Sequence, residues 1–146
     1  MRPERFLTAE QQETVVAAVR LAEKDTSGEI RIHIDSRCTR DPKKRAEEVF
    51  RKLGMQNTEL HNGVLIYLAY ESKVFAIIGD KGINDLVPDG FWEDVLSVMR
   101  ERFRRNEFTE GLSDAAIMIG EKLKAFFPYQ KDDINEQPDD ISFGQN

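Results

Sequence analysis

The sequence contains a single cysteine, Cys38, in 146 residues. One thiol excludes an internal disulfide and any zinc cluster built from thiolates. It suits a reducing compartment. Long apolar runs are also missing. The longest, Val64–Tyr70 and Val74–Ile78, fall far short of the ~20 residues that a membrane-spanning helix needs. Met1–Glu10 holds no apolar stretch of the kind that marks a secretory signal. These features predict a soluble, cytoplasmic protein with no membrane span. Basic residues are outnumbered, 21 against 27 acidic, for a net charge of −6. That balance argues against nucleic-acid binding, which needs phosphate-neutralising Lys and Arg. It is compatible with binding cations. Apolar residues make up 40% and charged residues 33%, the balance of a well-solvated globular domain. The length suits one domain, with a monomer as the default.

Local signals then divide the chain. Thr8-Ala9-Glu10-Gln11 matches a capping box and opens a helix with Val15, Ala18, Val19 and Ala22 on one face. Glu29–Ser36 alternates, with Ile30, Ile32 and Ile34 on one side and Glu29, Arg31, His33 and Asp35 on the other. That period of two predicts a half-buried strand. Asp41-Pro42 starts a second helix with Ala46, Val49, Phe50 and Leu53 as its buried stripe. Gly63–Tyr70 and Lys73–Ile78 are apolar on both faces and read as a hairpin of central strands. Gly79–Asp89 reads as a long loop. A third helix spans roughly Gly90–Arg105, and Thr109 caps a fourth that Pro128 stops. Residues 7–127 form the domain. Residues 128–146, with Asp132, Asp133, Asp139 and Asp140, read as a flexible acidic tail. No internal repeat is present.

The element order predicts a three-layer α/β/α sandwich, Rossmann-like, around a short mixed sheet with one β-hairpin. A strand, helix, strand unit makes a right-handed parallel crossover, and the third strand returns antiparallel. The starts of the first two strands and the end of the third therefore share one edge. That edge collects Ser27-Gly28-Glu29, His61-Asn62-Gly63 and Gly79-Asp80-Lys81-Gly82, and the long loop adds Asp85 and Asp89. Two carboxylates ~5 Å apart repel by roughly 3 kcal/mol at an effective dielectric of ~20. A cation would relieve that conflict. Oxygen ligands suit Ca²⁺ or Mg²⁺ better than Zn²⁺, while His61 leaves a softer metal open. The plainer reading stands beside this one. Asp80 and Asp85 can be turn formers, Asp89 a helix cap and Glu29 a strand-end residue.

The segments Ser27-Gly28-Glu29-Ile30, Asn62-Gly63-Val64-Leu65-Ile66, Ile78-Gly79-Asp80-Lys81-Gly82-Ile83 and Val87-Pro88-Asp89, with the helix Phe108–Leu123, resemble a TPM domain. That family includes thylakoid-lumen and photosystem-repair proteins and bacterial members. The resemblance runs from about Leu7 to Phe127. It implies the same sandwich and a divalent-metal site, and acid phosphatase activity is ascribed to plant members. The matching polar positions are Glu29, Asn62, Asp80 and Asp89. Many relatives carry Gly-x-Gly after the third strand, whereas here two residues separate Gly79 and Gly82. Many also carry a signal peptide and a membrane anchor, so their location and partners do not carry over.

The expected metal ligands are thus Glu29, Asn62, Asp80, Asp85 and Asp89, for Ca²⁺ or Mg²⁺. The leading function is a metal-binding domain serving the assembly or regulation of a protein partner. A metal-dependent acid phosphatase and a pure protein-interaction domain are the alternatives, and catalysis stays open. For a phosphatase, Asp80 and Lys81 are the catalytic candidates. No serine or cysteine has an obvious catalytic base beside it in sequence. His33 reads as a packed or partly wet strand residue, Ser27 as a turn residue and Cys38 as an inert or mildly reactive thiol. The run Arg100–Arg105 reads as a solvated helix end.

Overall fold

The structure is a computed structural model that describes residues 2–129 and 138–144. Helix α1 (Ala9–Glu23) begins at the expected capping box: Thr8 Oγ1 accepts from Gln11 N, and Gln11 Oε1 accepts from Thr8 N. Strand β1 (Glu29–Asp35) follows, then α2 (Pro42–Lys52), which Asp41 caps through Lys43 N. Strands β2 (Gly63–Ala69) and β3 (Val74–Gly79) form the hairpin. Next come the single turn α3 (Lys81–Asn84), then α4 (Glu93–Arg104) and α5 (Phe108–Lys124). The sheet order is β3-β2-β1-β4, with β1 parallel to β2 and β2 antiparallel to β3. Helices α1, α4 and α5 pack on the face bearing Ile30, Ile32, Ile34, Val64, Ile66 and Leu68. Helix α2 covers the opposite face through Ala46, Val49 and Phe50. The three-layer mixed α/β sandwich is the architecture expected.

Four local expectations are corrected. The segment after β3 is not all loop, because Asp80 accepts from Lys81 N and so caps α3. Helix α5 starts at Phe108 with no side-chain cap, so Thr109 lies inside it. Strand β1 is not half-buried: only Arg31 keeps partial exposure. Its polar residues can go inside because they bond one another. Asp35 is fully buried and accepts from His33 Nε2 at 2.9 Å, Arg45 Nε at 2.9 Å and Tyr67 OH at 2.6 Å. Buried polar groups are tolerated when they are satisfied in this way.

The fourth correction concerns the tail. Ser142–Phe143 form a short strand, β4, parallel to β1. Without it, β1 would present a row of unpaired backbone groups at a sheet edge. Gly144 N donates to Ile34 O at 2.9 Å, and Ile141 and Phe143 pack against the core. Asp132 and Asp133 lie outside the described residues.

Helices α1 and α5 meet where Gly120 faces Ala22. A Cβ on Gly120 would sit 2.6 Å from the Ala22 carbonyl oxygen and 2.7 Å from its Cβ. Alanine favours a helix over glycine by about 1 kcal/mol, but overpacking against a backbone costs about 1–3 kcal/mol. Gly120→Ala should therefore lose stability on balance in urea unfolding. A gain would show that the two helices separate easily.

Candidate functional site

The expected edge exists. Glu29 pairs with Gly63 and Val64 with Gly79 in the strand registers. Glu29 N donates to Asn62 O, and Asp80 N donates to Gly63 O. Asn62 Nδ2 donates to Ser27 O at 3.2 Å. Glu29 and Asn62 are buried, and the Asp80 side chain is 11% exposed. Three adjacent strands thus set Glu29, Asn62 and Asp80 along one rim. Asp85 and Asp89 are exposed. Asp85 ends α3, and Asp89 lines a cleft of about 510 Å³ with Phe75, Ile77 and Trp92. Among the described residues, no group of three or more His, Cys, Asp or Glu is assembled that could hold a metal ion.

Two atoms at this rim lack what burial requires. Asp80 Oδ2 and His61 Nδ1 lie 3.4 Å apart, out of hydrogen-bond alignment, and both are buried without a hydrogen-bond partner. Thr58 Oγ1, three residues before His61, is in the same condition. His61 takes a positive φ of 49°, a conformation uncommon outside glycine. The next turn is close-fitted: a Cβ on Gly82 would overlap the carbonyl oxygens of Leu60 and His61. Only glycine lets α3 sit against this loop, which keeps Asp80 beside His61.

A carboxyl that sequence reasoning missed is Glu23, at the end of α1. Its Oε2 accepts from Ile30 N at 2.9 Å, at the start of β1. Burial first, and then a hydrogen bond with Asp139 and the charges of Asp139 and Glu29, push its pKa up to about 10. A pKa raised in this way favours the protonated form of Glu23, which repels Asp139 and Glu29 less. Asp139 also meets Arg20 at 3.5 Å. The sequence signal was only an acidic residue in the last turn of a helix. Its partner sits more than a hundred residues away, on the segment that carries β4.

The sequence matches the family described as the TPM domain over residues 1–122. The chain belongs to the TPM domain family. Among solved structures, this TPM domain is similar to the BA42 protein of the psychrophilic bacterium Bizionia argentinensis, with 49% identity, TM-score 0.91 and 97% of each chain covered. It is also similar to the N-terminal domain of the cg2496 protein of Corynebacterium glutamicum, at 11% identity and TM-score 0.63 over 97% of this chain and 82% of that one. The second likeness is one of fold. No curated protein matches the sequence. In this TPM domain the two residues between Gly79 and Gly82 are Asp80 and Lys81, the cap and first residue of α3. This spacing places a carboxylate and an exposed lysine side by side at the rim. No helix among the described residues is long and apolar enough to cross a membrane.

Proposed function

We propose that this TPM domain binds a divalent cation at the Asp80 rim and uses the bound ion in the assembly or regulation of a protein partner. The observation that carries this reading is the pair Asp80 Oδ2 and His61 Nδ1, buried atoms at ion-pair distance, 3.4 Å, with no hydrogen bond to either. Leaving a buried polar atom without a partner costs about 1–3 kcal/mol, and a cation would satisfy the carboxylate. Asp80 and Glu29 would supply carboxylate oxygens and Asn62 an amide oxygen. Mg²⁺ suits so sparse a set better than Ca²⁺, because it keeps several waters and takes one or two carboxylates. His61 would favour a softer ion in its place. Asp85 and Asp89, exposed at the end of α3 and in the neighbouring cleft, stand outside this ligand set. Cys38 is unpaired, which supports placing the domain in the reducing cytoplasm.

The exposed Lys81 beside Asp80 supports a second reading, a metal-dependent acid phosphatase. A bound ion would polarise phosphate oxygens, and Lys81 would add positive charge to hold them.

The deciding experiment is thermal melting with EDTA, Mg²⁺ or Ca²⁺, for the wild type and Asp80→Asn. An ion present at 100 times its dissociation constant should stabilise the wild type by about 2.7 kcal/mol. The shift should vanish in the variant. Hydrolysis of a phosphate ester that stops with chelator would then select the second reading. No shift at millimolar ion would sink both and leave a pure interaction domain.

A further inference from the structure

A different constellation lies on the face that α2 covers. Alternation along β1 puts His33 and Asp35 on one side of the strand, and the parallel register sets Ser142 of β4 opposite His33. Ser142 Oγ is 2.9 Å from His33 Nδ1, and His33 Nε2 is 2.9 Å from Asp35 Oδ1. Burial pushes the Asp35 carboxyl up, but hydrogen bonds from His33, Arg45 and Tyr67 outweigh it and hold it well below the usual carboxylate range. Asp35 is therefore an acceptor only, and it keeps the ring proton on Nε2. In the neutral imidazole, Nδ1 is then the acceptor, and the Ser142 hydroxyl donates to it. That is the hydrogen bond through which an imidazole takes the proton of an attacking alcohol.

The relay opens onto space. His33 and Ser142 line a cleft of about 430 Å³ between α2 and β4, together with Arg45, Val49, Lys52 and Leu53. That volume is in the range of small-molecule sites, roughly 300–1,000 Å³. His33 and Asp35 are buried, whereas Ser142 is partly exposed. Arg45 is committed to Asp35 and Glu48. Lys52 is exposed at the rim and supplies positive charge for an acidic ligand.

We propose that Ser142 is a nucleophile, with His33 as its general base and Asp35 as the positioning residue that orients the imidazole, acting on small carboxylic esters that carry a negative charge. Ser142 Oγ bonds to the carbonyl carbon as its proton passes to His33 Nδ1. The bond from that carbon to the alkoxy oxygen breaks, and the departing oxygen takes the proton and leaves as the alcohol. Water then attacks the acyl-serine and gives a proton to Nδ1. The carbon–Oγ bond breaks, Oγ recovers that proton, and the carboxylic acid leaves. No oxidant or reductant is needed.

The test uses the whole chain. A fluorophosphonate probe is added, the labelled residue is located by peptide mass spectrometry, and hydrolysis of the 4-nitrophenyl monoester of succinic acid is followed. Ser142 should carry the label. Ser142→Ala should remove it and, with an unchanged circular dichroism spectrum, abolish hydrolysis. His33→Gln should slow labelling roughly 100-fold or more, the usual scale of general-base assistance. Asp35→Asn should move the pH midpoint of labelling, which a purely structural role would leave in place. A folded wild type whose Ser142 stays unlabelled overturns the proposal, because it shows that the network only pins β4. Equal hydrolysis by the wild type and Ser142→Ala does so too. Neither result bears on the Asp80 rim, which involves other residues.

Discussion

Asp35→Asn should lower the unfolding free energy by about 3–5 kcal/mol, the cost of removing one partner from a buried ion pair. The side chain is fully buried and receives the hydrogen bonds of His33, Arg45 and Tyr67. Asparagine keeps the volume but replaces one acceptor oxygen with an NH₂ group that must face donors. It also removes the charge opposite Arg45, whose side chain is only 19% exposed. The pH dependence has a definite sign. The folded pKa of Asp35 lies below its ordinary 3.8, so its stabilisation is present above 3.8 and lost as pH falls through the folded value. The variant should lose this acid-side component. Urea unfolding at pH 7 and at stepwise lower pH measures both effects. A loss below about 1 kcal/mol would mean that the network relaxes around an amide and that the charge contributes little.

The second large effect lies on the alkaline side. Glu23 goes from 4.5 to about 10 on folding, first because it is buried and then because it shares a hydrogen bond with Asp139. A carboxyl raised in the folded state favours folding most below 4.5. That contribution is lost as pH climbs toward 10, where both states release the proton. The slope between those limits reaches about 1.4 kcal/mol per pH unit. Stability should therefore fall by up to about 2.7 kcal/mol between pH 7 and pH 9 from this residue alone. Glu23→Gln keeps the shape and retains an oxygen to accept from Ile30 N, but it cannot ionise. Its stability should be nearly level over the same range and exceed that of the wild type at pH 9. Urea midpoints at pH 6, 7.5 and 9 decide it. Parallel profiles for the two proteins would show that Glu23 is already ionised at neutral pH.

These two residues mark where reading along the chain stops being sufficient. Glu29–Asp35 alternates as a strand does, and Glu29, Arg31, His33 and Asp35 look like a wet face. Nothing local reveals that α2 closes over that face, or that Arg45 and Tyr67 arrive to satisfy Asp35. Glu23 is equally silent. Its proton depends on the depth of the α1 end and on the arrival of Asp139. By contrast, Glu29, Asn62 and Asp80 were placed on one rim correctly. Parallel and antiparallel pairing, once inferred, dictates which strand ends meet. Asp85 was grouped with them because a loop was assumed where α3 turns, and Asp89 through that loop and the family resemblance.

The sequence alone determined what local chemistry controls. The Thr8–Gln11 cap, the Asp41-Pro42 helix start and the β2–β3 hairpin each depend on residues a few positions apart. The three-layer order followed from those elements and the handedness of the crossover. Tertiary structure decided what depends on distant encounters. A two-residue strand such as Ser142–Phe143 has no periodicity to read, and it forms because β1 offers an open edge. Once docked, it brings Ser142 to a histidine 109 residues away and Asp139 to Glu23. Hydrogen bonding and desolvation act over a few ångströms in space, at distances that sequence separation does not encode.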